Sequence, residues 1–144
     1  MPHNLHVVLV EPQIPANTGS VGRVCVATES SLHLIEPMGF EVSDAQVKRA
    51  GLDYWQYVSV TCHKSLRVFM DSMPQDAPKA FFSTKATRSY FEHRFEPGSY
   101  LFFGSETAGL PGEILKAYSD QMFRIPQYDP RIRSLNLANS VSIV

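Results

Sequence analysis

Residues 5–23 read LHVVLVEPQIPANTGSVGR. A run of consecutive apolar, largely β-branched residues (5–10) passes through a proline-bearing turn into Asn17, Thr18 and Gly19 and then into a segment of helical character. Strand, glycine turn, helix is the local order of a βα unit, and in such units ligands collect at the carboxyl end of the strand. The run is apolar at successive positions and does not alternate, as expected of a strand buried on both faces.

Working outward, similar runs recur at LHLIEP (32–37), VSVT (58–61), KAFFST (79–84), YLFFGS (100–105) and MFRIP (122–126). Between them lie helical segments NTGSVGRVCVATE, SDAQVKRAG, KSLRVFMDSM and PGEILKAYSD, with a last one in RSLNLANSVSIV. Strands alternating with helices predict an α/β fold, a mostly parallel sheet flanked by helices, in a single domain over residues 1–144. Asn17 or Thr18 is expected to cap the first helix, Ser43 with Asp44 to start the second and Gly51 to end it. Pro111 suits the first turn of the fourth and Ser134 the cap of the last, whose apolar pattern stops at Val144 without a capping residue.

The chain has 144 residues, 44% hydrophobic and 19% charged, with a formal charge of −1. That balance excludes a protein that coats nucleic acid by bulk charge and leaves room for a local basic patch. Cys25 and Cys62 sit in VCVA and VTCH and are expected as buried free thiols, which fits a reducing cytoplasm. The opening MPHNLHVVLVEPQ has neither a basic leader nor an apolar run long enough for a span, so no membrane association is expected. The histidines at 3, 6, 33, 63 and 93 lack ligand spacing, and no metal is expected.

Four loops carry the chemistry: EPQIPANTGSVGR, STKATR, GSETAGLPGE and IPQYDPRIRSLN. The first is neither a complete G-x-G-x-x-G fingerprint nor a Walker loop, so Gly19 and Gly22 alone read as residues that let the helix pack closely on the sheet. Arg23, expected about one turn into that helix, opposes the macrodipole unless an anion is held there; solvent exposure or a pair with Glu11 or Glu106 remains open. In the third loop, Gly104 and Gly109 allow close backbone approach to a flat ligand, and the bland reading is an ordinary βα turn. Lys85 and Arg88, with the arginines of IPQYDPRIRSLN, make a basic rim that suits RNA; a solvated loop is the commoner outcome for such composition.

Taken in order, N-T-G-x-x-x-R, F-G-S-E-T-A-G-L-P and I-P…R-S-L-N-L-A-N-S-V resemble the three motifs of SPOUT-class RNA methyltransferases. IEPMGF (35–40) and RAGLDYW (49–55) are similar to the small TrmL-like, or YibK-like, tRNA 2′-O-methyltransferases, and the resemblance runs from Leu5 to Val144.

The resemblance implies a SPOUT α/β-knot with a C-terminal trefoil knot, a homodimer, and a cytoplasmic enzyme. The implied reaction moves a methyl group from S-adenosylmethionine to the ribose 2′-hydroxyl of the wobble nucleoside, position 34, cytidine or modified uridine, in leucine tRNAs, with S-adenosylhomocysteine as product and no metal. By matching position it implies cofactor contacts at Phe82, Gly104, Ile125, Ser134 and Leu135, a catalytic Arg23 acting with a substrate phosphate, and supporting roles for Asn17, Glu106 and Arg133. Val21, Val24, Val26, Val141, Ile143 and Val144 serve either the dimer interface or the monomer core. Two departures stand out: a longer turn before Arg133-Ser134, and no Tyr-Glu pair after SIV. The missing pair keeps open an RNA-binding relative without turnover, and the runner-up enzyme reading is another tRNA or rRNA target of the same class.

Overall fold

The structure is a computed structural model that describes residues 4–41, 45, 47, 49 and 52–144. Six strands, β1 (His6–Val10), β2 (Ser31–Ile35), β3 (Val60–His63), β4 (Lys79–Phe82), β5 (Tyr100–Phe103) and β6 (Met122–Phe123), form one sheet in the order β3-β2-β1-β5-β4-β6. Every pairing between these strands is parallel, from His6↔Ser31 in β1–β2 to Phe82↔Phe123 in β4–β6.

Successive strand residues point to opposite faces, and each face buries its own core. Val7, Leu9, Leu34, Phe82, Phe103 and Phe123 pack under α1 (Pro15–Ala27) and α4 (Leu137–Ile143), together with Val21, Cys25, Leu137 and Val141 of those helices. Val8, Val10, Phe81, Phe102 and Met122 pack under α2 (Leu66–Ser72) and α3 (Gly112–Ala117) through Leu66, Phe69 and Ile114. Cover on both sides explains why the central strands read as continuous apolar runs. Val21 and Val141 belong to this core, whereas Ile143 is 46% exposed.

Several local expectations are corrected. Helix α1 begins at Pro15 with Ile14, whose own side chain makes no cap bond, at the cap position, so Asn17 and Thr18 are buried inside it. The last helix is capped by Asn136, whose side chain accepts from the Asn139 N–H at 3.1 Å, and Ser134 lies upstream. Pro111 occupies the cap position of α3 itself. Gly22 faces the 3-10 turn Leu52–Tyr57 and the adjoining Val58: a Cβ there would stand 2.5 Å from the Trp55 ring and 3.2 Å from Val58. Cys62 is exposed on the edge strand β3, while Cys25 is buried. Ser43, Asp44 and Gly51, which bear on the second helix, lie outside the described residues.

Candidate active site

The strand order reverses between β1 and β5, since β2 and β3 extend the sheet one way and β4 and β6 the other. A parallel sheet opens a crevice at such a switch point, outside the carboxyl ends of its strands. Here the crevice is a cleft of about 840 Å³. Phe82 and Ser83 come from the end of β4, Phe103 and Gly104 from the end of β5, and Ile125 from just past β6. The segment leading into α4 supplies Arg133, Ser134, Leu135 and Asn136, and the start of α1 supplies Ile14 and Asn17.

The shape of this cleft depends on the loop after β5. Ser105 and Gly109 exchange backbone hydrogen bonds at 3.2 and 3.0 Å, and Gly109 closes the turn at φ +69°. A Cβ on Gly104 would lie 2.2 Å from the Gly109 carbonyl carbon and 2.3 Å from the Leu110 nitrogen. Backbone sits where a side chain would be, so only glycine fits at 104.

Glu106, held in that loop, reaches across to α1. Its Oε1 accepts from Gln13 N at 2.8 Å, and its Oε2 accepts from Ile14 N at 3.0 Å and from Asn17 Nδ2 at 3.2 Å. A carboxylate at a helix start satisfies free N–H groups and favours the positive end of the macrodipole. Asn17 Oδ1 then accepts from Asn136 Nδ2 at 3.1 Å. One relay thus ties together the loop after β1, the loop after β5 and the cap of α4. Sequence reasoning misses Asn136 as a site residue; the signal is an Asn directly before the apolar stretch LANSV, a cap position as good as Ser134.

Phe82, Gly104, Ile125, Ser134 and Leu135 therefore line one cleft with Asn17, Glu106 and Arg133, although they come from separate stretches of the chain. Arg23 is not among the residues that line it. With α1 starting at Pro15, Arg23 is its ninth residue, six after Asn17. Six residues of α-helix advance about 9 Å and turn about 240°, so the two side chains leave the helix in different directions. Arg23 is exposed, with its guanidinium carbon 5.5 Å from the centre of the Tyr54 ring, and it makes no ion pair among the described residues. Its conflict with the helix dipole disappears, because it is far from the N-terminal turn, and Glu106 is bonded to α1 and not to Arg23.

Among the described residues no group of three or more His, Cys, Asp or Glu side chains could hold a metal ion, and no helix is long and apolar enough to cross a membrane.

Residues 4–144 match the model of the SpoU rRNA Methylase family. The chain belongs to that family. Within the SpoU family it is 45% identical over 143 residues to the tRNA (cytidine(34)-2′-O)-methyltransferase of Escherichia coli K12, covering 97% of this chain and 88% of the relative. A solved structure described as "Structural insights into the 2-OH methylation of C/U34 on tRNA" superposes with a TM-score of 0.94 at 44% identity, over 99% of this chain and 92% of that one. The SpoU methyltransferase AviRb from Streptomyces viridochromogenes, in complex with the cofactor AdoMet, shares the fold at a TM-score of 0.85 and 23% identity, over 99% of this chain and 56% of AviRb.

Proposed function

We infer that this SpoU family chain is an S-adenosylmethionine-dependent methyltransferase acting on the ribose 2′-hydroxyl of nucleoside 34 of tRNA, a cytidine or modified uridine, with leucine tRNAs as the expected acceptors. The observation that carries the reading is the gathering of three separate sequence motifs onto one cleft at the sheet's switch point. The relatives named for this reaction match nearly all of the chain.

The cleft fits the cofactor by its chemistry. Its volume of about 840 Å³ lies in the upper part of the range for small-molecule sites, with room for a nucleoside and the edge of a second ribose. Phe82, Ile125 and Leu135 offer apolar sides for a flat base, and the glycine loop at 104 and 109 brings peptide groups close enough to read its edge. Ser134 adds a hydroxyl. When bound, S-adenosylmethionine supplies a methyl group on a sulfonium sulfur that an oxygen nucleophile attacks, leaving S-adenosylhomocysteine.

The protein's own work is placement of the hydroxyl and removal of its proton. Glu106, Asn17 and Asn136 act as positioning residues, holding the walls in register. Arg23 is assigned to the RNA phosphate beside the reacting ribose: a guanidinium is too basic to take the hydroxyl proton alone, so it orients the phosphate and acts on that proton only with the phosphate's assistance. Because Arg23 stands outside the cleft of its own chain, the working unit in this reading is a homodimer in which Arg23 of one copy serves the cleft of the other. Threading of the C-terminal segment into a trefoil knot and residence in the cytoplasm belong to the same reading.

The direct test incubates the folded chain with labelled S-adenosylmethionine and tRNA from a strain lacking the activity, then maps the label. A 2′-O-methyl group at position 34 is the expected result. Label elsewhere moves the target, cofactor binding without transfer favours an RNA-binding relative without turnover, and no cofactor binding overturns the reading.

A further inference from the structure

The segment from Arg124 to Arg133 connects β6 to the cleft and carries exposed groups that the cofactor reading does not use. Tyr128 is 88% exposed, next to Gln127, which lines the cleft. Pro126 and Pro130 flank it and restrict the backbone on both sides. The turn is fixed further by Asp129, whose Oδ1 accepts from Arg131 N at 3.0 Å and Arg131 Nε at 2.9 Å while Oδ2 accepts from Arg131 Nη2 at 2.6 Å. A large aromatic ring is therefore held out into water on this turn, one residue along the chain from the cleft lining.

The charges around it are not equivalent. Arg131 is neutralised by Asp129. Lys85 and Arg133 line the cleft from two different loops, both are exposed, and neither side chain has an acidic partner among the described residues. The one carboxylate among the residues described on this cleft, Glu106, already accepts three hydrogen bonds from α1 and its approach. Two cations on the cleft without acidic partners among the described residues, with an exposed aromatic ring one residue along the chain from the cleft-lining Gln127, match the composition of sites for unpaired RNA, where bases stack on rings and phosphates lie against Lys and Arg.

We propose that Tyr128, Lys85 and Arg133 form a docking ledge for single-stranded RNA at the mouth of the cleft, Tyr128 stacking an unpaired base and Lys85 and Arg133 holding phosphates on either side of the ribose that enters. The proposal rests on the tRNA reading above and adds to it which surface grips the loop. It assigns the ledge to RNA, and the competing occupants are the cofactor for the two cations and a second copy of the chain for the ring.

The experiment uses the full chain and tRNA lacking the modification. Tyr128→Ala is expected to raise the KM for tRNA roughly tenfold with kcat little changed, and Tyr128→Phe to restore it, because stacking needs the ring and not the hydroxyl. In the double variant Lys85→Ala/Arg133→Ala, the slope of log Kd for tRNA against log salt should shrink by about 1.4, the value for two phosphate contacts on a single strand. The Kd for S-adenosylmethionine should stay close to that of the parent in both. The ledge is overturned if the parent methylates tRNA and the variants match it, if the double variant loses cofactor affinity as steeply as tRNA affinity, or if Tyr128→Ala changes the oligomeric state. A parent that neither binds nor methylates tRNA removes the functional reading and the ledge with it.

Discussion

Glu106 and Asn17, 89 residues apart in sequence, are joined by a hydrogen bond of 3.2 Å from Asn17 Nδ2 to Glu106 Oε2. The same carboxylate accepts the N–H groups of Gln13 and Ile14, so the start of α1 is capped by a residue of the loop after β5. Replacing Glu106 with Ala leaves these donors without their acceptor and should cost about 1 to 2 kcal/mol of stability. Glu106→Gln keeps an acceptor oxygen and should cost less, so the order parent, Gln, Ala in denaturant midpoint is the expected outcome. An Ala variant as stable as the parent would show that water caps α1 equally well.

Gly104→Ala tests the cleft wall. Its Cβ cannot be placed without moving the backbone of Gly109 and Leu110, which breaks the Ser105–Gly109 pairing. Forced overpacking of this kind costs about 1 to 3 kcal/mol. Because the distortion falls in the cleft wall, cofactor affinity measured by calorimetry should drop by more than thermal stability alone explains. Gly112→Ala, which meets nothing within 4 Å, is the matched control and should leave cofactor affinity unchanged.

The strands are legible because burial on both faces leaves an uninterrupted apolar run, a signal that each strand carries locally. The signal weakens at the edge: VSVT (58–61) starts two residues before β3, whose exposed central residues blur the pattern. On the same edge strand Cys62 is exposed. The cleft residues Phe82, Gly104 and Ile125 are legible because they lie at or just past strand ends, where a parallel sheet gathers its ligand loops. The start of α1 is not, because its cap comes from Glu106 and no window of residues around Asn17 contains it. Placing that start too late puts Arg23 about one turn into the helix, and with it the electrostatic argument for an anion there.

The face of the sheet under α2 holds a chain of imidazoles. His6 Nδ1 and His33 Nε2 are 3.0 Å apart, as are His33 Nδ1 and His63 Nε2, with Tyr100 stacked on His6 at 4.1 Å and Phe69 beside His33 at 5.1 Å. Each contact needs one bare nitrogen and one N–H, so neighbouring rings of the chain cannot both be protonated. Burial, aided by its two neighbours, lowers the His33 pKa from 6.5 to about 4, and burial lowers those of His6 and His63 too. The unfolded chain takes up protons near pH 6.5 that the folded chain refuses, so stability is full above that pH and falls as pH drops toward about 4. The thermal midpoint should fall by roughly 3 to 6 °C between about pH 7.5 and 5. His33→Gln should flatten that dependence; an undiminished slope would place its origin elsewhere.

The two thiols should separate cleanly. Burial pushes Cys25 up to about 12, whereas Cys62 is exposed and raised by partial burial and by Glu36. Thiolate is the reactive form, so a disulfide reagent at mildly alkaline pH should modify Cys62 alone in the folded chain, more slowly than free cysteine. Cys25 should react only after denaturation. Cys62→Ser should abolish native labelling, and residual fast reaction would mean that Cys25 is not sealed in the core.

Arg23 offers the sharpest test of how the site is completed. It lies outside the cleft, on a different side of α1 from Asn17, and the proposed function has it act in trans. Arg23→Ala should bind S-adenosylmethionine like the parent and lose transfer; Gly104→Val should lose the cofactor while keeping its Arg23. Mixed under conditions that exchange subunits, two inactive variants regain one intact site in each mixed dimer if the arginine crosses over, which predicts about a quarter of parental activity. If the arginine served its own cleft, each mixed dimer would hold one copy without an arginine and one without a cofactor, and no activity would return. Recovery therefore decides between the two placements, and it also requires the homodimer that the proposed function assumes.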